Sequence, residues 1–268
     1  MATTVALKTP WANTPLQLVP TPVFLTKKHD LFTSGASHMG MVHNSIFRGY
    51  NSIYHQAPHI AEADKANFIG YCLTWYKFLK IHADNEDKSL FAKTEELLED
   101  KTIWEKSHKE HDAFMPGLAK FQEYLVSLKS PSDFSGAKLL EIMASFQEPL
   151  GVHLHSEVAT IADLALHPRT PKEGSAEEKS TREAFDAREG KNLMMSGITD
   201  VVPFFLFNFD RDYEDGIWMD WPPIPGPVRW MVIRVAKVLH PGWWKFASCD
   251  AARQKKTLYA VLSTEVKP

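Results

Sequence analysis

Two His-x-x-x-Glu pairs, His82–Glu86 and His153–Glu157, lie inside apolar stripes of helical period, and they constrain this chain more than any other feature. Phe68, Tyr71, Cys72, Trp75, Phe78, Leu79 and Leu90 share the stripe of the first pair; Leu139, Ile142, Met143, Phe146, Leu150, Val158 and Ile161 share that of the second. At 3.6 residues per turn, a residue and its fourth neighbour return to nearly the same face, so each pair points an imidazole and a carboxylate inward together. One such pair alone is often a surface ion pair. Two of them on apolar faces are another matter, because buried imidazoles and carboxylates are costly unless paired or metal-bound.

The rest of the chain supplies the partners. The spacing of Met39, Val42, Ile46, Phe47, Tyr50, Ile53 and Tyr54 predicts a first helix over 36–56, capped by Ser34 or Ser37 and stopped by Pro58, with His43 in its stripe. A second helix is expected over 61–93. A third, over 103–128, carries His111 beside Phe114, Leu118, Phe121 and Leu125, with Pro116 predicting a kink or an earlier start. A fourth begins between Ser132 and Ser135 and ends before Pro168, with a bend or break at Pro149 and Gly151. The sum is four histidines (His43, His82, His111, His153) and two carboxylates (Glu86, Glu157) for two metal ions, with coordination positions left open.

These elements divide the chain into an extended surface arm over 1–33, an all-α helical domain over 34–167, and a linker with a C-terminal extension over 168–268. The segment 168–190 is polar and charged and reads as a surface connection, with a short helix toward Met195. The tail holds five of the eight tryptophans and the run Pro222, Pro223, Pro225 and Pro227. It reads as an irregular, aromatic-rich segment with one helix, near 228–239, packed on the helical domain.

Bulk properties exclude several classes of function. A net charge of -3 gives no basic field for nucleic acid or an anionic membrane. The apolar run ending at Leu239 is too short and, with Arg229, Arg234 and Lys237, too charged to span a bilayer. No secretory leader is evident, and two distant cysteines, Cys72 and Cys249, make no disulfide framework, so a cytoplasmic location is expected.

The segments around these residues resemble the hemerythrin-like, or HHE cation-binding, proteins over roughly 36–166. The resemblance lies in Met-Val-His-Asn-Ser-Ile-Phe-Arg around His43, His-Ala-Asp-Asn-Glu-Asp-Lys-Ser-Leu-Phe from His82, Lys-Glu-His-Asp-Ala-Phe around His111, and His-Leu-His-Ser-Glu-Val from His153. The tail, with Phe-Asn-Phe-Asp at 207–210 and Trp-Met-Asp-Trp-Pro-Pro at 218–223, is similar to the extension of fungal members. The resemblance implies an up-down four-helix bundle with a non-heme diiron centre bridged by two carboxylates, and dioxygen as its partner. The chain departs from founding hemerythrins on the third helix, where they have two histidines one turn apart. Here Ser107 stands four before His111, and His108 three before it is an extra ligand only if the helix is locally overwound. On the last helix the founding His-x-x-x-x-Asp is His-x-x-x-Glu. His155, about 200° round the helix from His153, faces away. His38, His55 and His59 read as helix-surface residues, and His29, His167 and His240 as non-ligands.

The expected function is an oxidase or oxygenase acting on a small organic molecule in fungal secondary metabolism, because the aromatic tail offers an apolar pocket that a carrier does not need. The alternatives are a non-enzymatic dioxygen- or iron-binding, sensing or storage protein, and a metal-free interaction bundle. Histidine and carboxylate ligands also suit manganese or zinc.

Overall fold

A computed structural model describes residues 11–261. Every regular element is helical, and the β interaction recorded among these residues is an isolated bridge between Cys249 and Lys255. In chain order the α-helices are α1 (Pro22–Thr26), α2 (Leu31–Gln56), α3 (Lys65–Asn85), α4 (Phe91–Leu98), α5 (Glu105–Ser127), α6 (Gly136–Ala144), α7 (Gln147–Asp163), α8 (Ala176–Met195), α9 (Val201–Phe207) and α10 (Gly226–Leu239). Helix α2 packs on α7, α7 on α5, α5 on α3, and α3 back on α2. The core lies inside that circuit, where Tyr50, Trp75, Phe121 and Phe146 meet edge-on and stacked. No helix is long and apolar enough to cross a membrane among the described residues.

The first helix starts earlier than Ser34 or Ser37 would set it. Asp30 is the cap: its carboxylate accepts from the Thr33 backbone N–H at 2.9 Å and from the Thr33 hydroxyl at 2.6 Å. Ser37 instead accepts the Val23 N–H at 2.8 Å and so ties α1 to α2. The described part of the N-terminal arm is not a surface strand either. The Asn44 amide accepts from the Val19 N–H and donates to the Val19 carbonyl (2.7 and 2.9 Å), and Asn51 does the same to Leu16 (3.0 and 2.8 Å). These two buried asparagines, two turns apart on α2, satisfy the backbone of an extended segment as a neighbouring strand would. Residues 1–10 of the expected arm lie outside the described residues.

The second predicted helix is three pieces. Between α3 and α4, residues Glu86–Leu90 form a π-helical turn. Helix α5 continues past Pro116 as one element and does not start early; Gly117 beside it makes room for Phe146, whose side-chain atoms would lie 2.6–3.0 Å from an added Cβ. The fourth helix does break, but at Ser145 and Phe146. Pro149 then sits in the first turn of α7, where backbone N–H groups have no intrahelical acceptor anyway.

The larger corrections lie beyond Pro168. The segment read as a surface connection with a short helix toward Met195 folds instead into the 20-residue α8, started by Ser175 capping Glu178 and ending at Met195. The tail contributes a second helix, α9, whose seven residues are all buried, inserted against α2 and α3. Asn208, just after it, accepts from the Tyr71 hydroxyl at 3.1 Å and from the Ser248 N–H and hydroxyl at 3.1 and 3.0 Å. Arg48 of α2 is fully buried, 3.9 Å from the equally buried Asp210.

The contact of α2 with α9 depends on Gly49, where an added Cβ would lie 2.6–2.9 Å from ring atoms of Trp75 and Phe204. Both rings are fully buried and cannot swing aside. Gly49→Ala is therefore expected to lower stability by about 1–3 kcal/mol, read as a lower urea midpoint at unchanged slope.

Candidate metal centre

All six residues singled out by the sequence converge between α2, α3, α5 and α7. His43 comes from α2, His82 from α3, Glu86 from the first position of the π turn, His111 from α5, and His153 and Glu157 from α7. They form two overlapping groups whose donor atoms all lie within 4.8 Å of one another: His43, His82, Glu86 and Glu157 in one, Glu86, His111 and His153 in the other. Glu86 belongs to both. Its Oε1 is 2.7 Å from His82 Nε2 and its Oε2 is 3.5 Å from His111 Nε2. Glu157 Oε2 reaches His43 Nε2 at 3.3 Å and His153 Nε2 at 3.8 Å.

The imidazoles are held from behind. His43 Nδ1 donates to the Leu154 carbonyl at 2.6 Å, His111 Nδ1 to Asp87 at 3.1 Å, and His153 Nδ1 to Glu110 at 3.3 Å. Ser156 in turn donates to Glu110 at 2.6 Å. Such contacts fix ring and tautomer as the outer partners of a metal-bound histidine do. They also turn the Nε2 atoms of these three rings toward the centre. Yet His111 Nε2 and His153 Nε2 are 3.0 Å apart, and His43 Nε2 and His82 Nε2 are 2.9 Å apart. Facing lone pairs repel unless a proton or a cation lies between them. Imidazole nitrogens bind an ion such as zinc at about 2.0–2.1 Å, so two on adjacent coordination positions stand about 3 Å apart. Both spacings fit that donor pairing.

The carboxylates carry the same signature. The two oxygens of Glu86 and the two of Glu157 are buried, with imidazole nitrogens as their polar neighbours and no hydrogen bond of good geometry among the described residues. Burial opposes the charged form of every group here. It raises Glu157, with the adjacent Glu86 charge adding to it. Burial would raise Glu86 too, but the surrounding imidazoles of His82, His111 and His43 outweigh it and hold this carboxyl well below the usual carboxylate range. Burial would also lower His43, but Glu157 and Glu86 outweigh it and push this ring up to about 9. His153 goes the other way, to about 3, because burial is joined by repulsion from the other imidazoles.

The remaining histidines separate clearly. His108 does not join either group; half-exposed, it sits 3.3 Å from Asp87, the carboxylate that also holds His111. His155 turns away and donates from Nδ1 to the Gly151 carbonyl at 2.8 Å. His38 is not an ordinary surface residue: it stacks on Trp221 at 5.2 Å and lines a cavity. That cavity, about 340 Å³, also touches His82 and Glu86. Its walls come from α2, α3, α8 and the tail residues Phe205, Trp221, Pro222 and Pro223, so the pocket expected from the tail owes a whole side to α8. Sequence reading missed Asp87 and Glu110 as outer partners. Both are charged residues next to a ligand, at Glu86 and His111, and that adjacency was the available signal.

Ligation needs deprotonated imidazoles and carboxylates, and the two buried carboxylates beside His43 push that ring up to about 9. Titrating the metal-free chain with a divalent ion at pH 7.5 is expected to release about one proton or more per chain. Calorimetry in buffers of different ionisation enthalpy reads this directly; heats independent of buffer would contradict the assignment of these residues as ligands.

No protein-family model matches the chain, and no solved structure matches it. The chain is similar to the dimeric xanthone biosynthesis cluster protein R11 of Cryptosporiopsis sp. (strain 8999), 27% identical over 231 residues that cover 86% of this chain and 84% of that protein.

Proposed function

We propose that this chain is a hemerythrin-like four-helix-bundle protein that holds two iron ions, binds dioxygen and oxidises a small organic molecule in fungal secondary metabolism. One observation carries the metal reading: four imidazole nitrogens and the carboxylates of Glu86 and Glu157 meet in a buried space, the nitrogens paired at the spacing neighbouring ligands adopt. His43 and His82 would hold one ion, His111 and His153 the other, with Glu86 and Glu157 shared between them. The closed packing of α2, α3, α5 and α7 supports the bundle. Iron is favoured over zinc by the resemblance of the ligand segments to hemerythrin-like proteins.

When bound, ferrous iron supplies the electrons that dioxygen activation requires. The chain's own residues do the rest. Leu154, Asp87 and Glu110 orient the imidazoles. The aromatic and aliphatic core around the ligands excludes water. The enzyme reading is preferred to a carrier because the cavity reaches His82 and Glu86, placing an organic molecule against the ligand set. The similarity to a protein of a xanthone biosynthesis cluster supports the secondary-metabolic setting.

Anaerobic reconstitution with ferrous iron is expected to give two irons per chain. The bound metal should raise stability by about 4 kcal/mol at a thousandfold excess over Kd. His82→Ala combined with His153→Ala removes one imidazole from each group and should abolish both effects. Admitting oxygen to the reduced protein should then produce a visible absorption whose decay a particular organic molecule accelerates. A long-lived colour that reverses on degassing would decide for a carrier. Iron-free protein indifferent to the double substitution would leave a metal-free bundle.

A further inference from the structure

The cavity beside the ligands is apolar along its walls and charged at its edges. Phe32, Phe78, Phe185 and Trp221 line it, and none of these rings is wholly without exposed surface. Such walls favour a flat aromatic occupant by stacking and edge contacts. At about 340 Å³ the space is at the small end of ligand pockets, room for on the order of two or three fused rings. Gly35, in the fifth position of α2, borders the same space, and an added Cβ there would meet nothing within 4 Å.

The charges divide between two edges. On the α2 side His38, Asp186 and Glu189 gather with their donor atoms within 4.8 Å of one another, and Glu189 is 3.5 Å from His38. On the other side Arg188 reaches from α8 to the π turn, where it donates to the Ser89 hydroxyl; both residues line the cavity. Asp186 and Arg188 are two positions apart, about 200° round the helix, which lets α8 offer opposite charges to the two edges. An anion is repelled from the first edge and attracted to the second.

Arg188 also differs from the other cations on these walls. Arg182 is bound to Glu178, four residues before it, at 2.9 Å, and Lys93 to Glu96 at 2.6 Å. Arg188 has no carboxylate partner among the described residues; its contact there is Ser89. The residues three and four positions from it on α8 are Ala184, Phe185, Lys191 and Asn192, none of them acidic. A guanidinium presents five N–H donors in a planar fork that matches a carboxylate, and Ser89 takes one of them. Arg188 is exposed, so an anionic group meeting it keeps part of its own hydration while the rest of the molecule enters the apolar space.

We infer that this cavity binds a planar aromatic carboxylic acid as its anion, the carboxylate accepting the open donors of Arg188 beside Ser89 and the rings lying between α2 and α8 within reach of His82 and Glu86. This names the substrate class of the proposed enzyme and rests on that reading for its role, but binding is measurable without turnover. The probes are 2-naphthoate and 2-naphthamide, bicyclic compounds of one shape that differ by a charged carboxylate against a neutral amide.

Equilibrium dialysis at pH 7.5 and low salt, with the full iron-reconstituted chain kept anaerobic, is expected to give about tenfold tighter binding of naphthoate than of naphthamide. Arg188→Gln keeps a polar side chain of similar reach but removes the charge; it should erase that preference while leaving naphthamide binding unchanged. Gly35→Leu fills the cavity from a position that tolerates a side chain and should weaken both probes at least tenfold. Circular dichroism checks folding, and should Arg188→Gln not fold, Arg188→Ala at the same exposed position takes its place. Failure of wild type to bind naphthoate, equal affinity for the two probes, or binding unaffected by Gly35→Leu would each overturn the inference. So would an undiminished preference in the Arg188 variants, the result expected if the carboxylate sat on a metal ion instead. Iron content of the same samples separates the two readings. Iron loading without an Arg188-dependent preference sinks this inference alone; an Arg188-dependent preference without iron loading sinks the diiron function alone.

Discussion

Four imidazoles and two carboxylates inside an aromatic core set the terms for the rest of the molecule. Desolvating any one of them without a partner is expensive, and here they face each other more than they face conventional hydrogen-bond partners. Such an arrangement persists only if each side chain is held from outside the cluster. That is what the Leu154 carbonyl, Asp87 and Glu110 do, each taking the far nitrogen of a ring and leaving the near one directed inward. The π turn at Glu86–Leu90 belongs to the same requirement. A helix continued in ordinary α geometry beyond Asn85 would place Asp87 differently; with the turn widened there, Glu86 enters the core while Asp87 reaches His111 on a neighbouring helix.

Four helices around a polar centre also leave seams, and the chain closes them with segments that are not part of the circuit. The N-terminal extended segment is fastened to α2 by Asn44 and Asn51. On another side α9 buries all of its side chains, and Asn208 and Asp210 lock its exit against Tyr71, Ser248 and Arg48. The Arg48–Asp210 pair is not evidence of strength, since a buried pair contributes little over an apolar replacement. Its effect is on register: a tail docked one turn away would strand both charges. The tail is thus a structural wall of the centre and not an appendage.

The convergence of the six clustered residues was legible in the sequence because a helix repeats at a fixed angle. His82 with Glu86 and His153 with Glu157 declare their face from spacing alone, and His43 and His111 follow from the stripes they share. Asp87 and Glu110 were legible only as neighbours of Glu86 and His111, because their direction is set by tertiary packing: one depends on a π turn that leaves no periodic signature, and the other lies half out of its own helix's apolar face. Helix α8 was expected only as a short helix toward Met195, and its full length was missed for a related reason. It presents little beyond Phe185 and Leu193 to the core, so a stretch dominated by Glu, Lys and Arg reads as solvated connection. A helix that borders a cavity has no continuous core to pack on, and therefore no stripe to find. His38 was read as surface because the partner that defines its environment, Trp221, is 183 positions away in the chain.

The burial of the ligands is uneven, and the unevenness gives the centre a direction. His43, His153 and Glu157 are sealed by α2, α7 and the core beneath them, whereas the His82 side chain keeps 11% of its surface exposed. His82 and Glu86 are also the ligands that border the cavity. Whatever reaches the donor atoms of the cluster by this route therefore passes between α2 and α8, along largely aromatic walls. Apolar walls admit dioxygen and a flat apolar molecule at low cost while discouraging water and ions, which would have to shed their hydration. Selection in this protein then begins before the histidine–glutamate cluster is touched: the space between α2 and α8 fixes which molecules come near it.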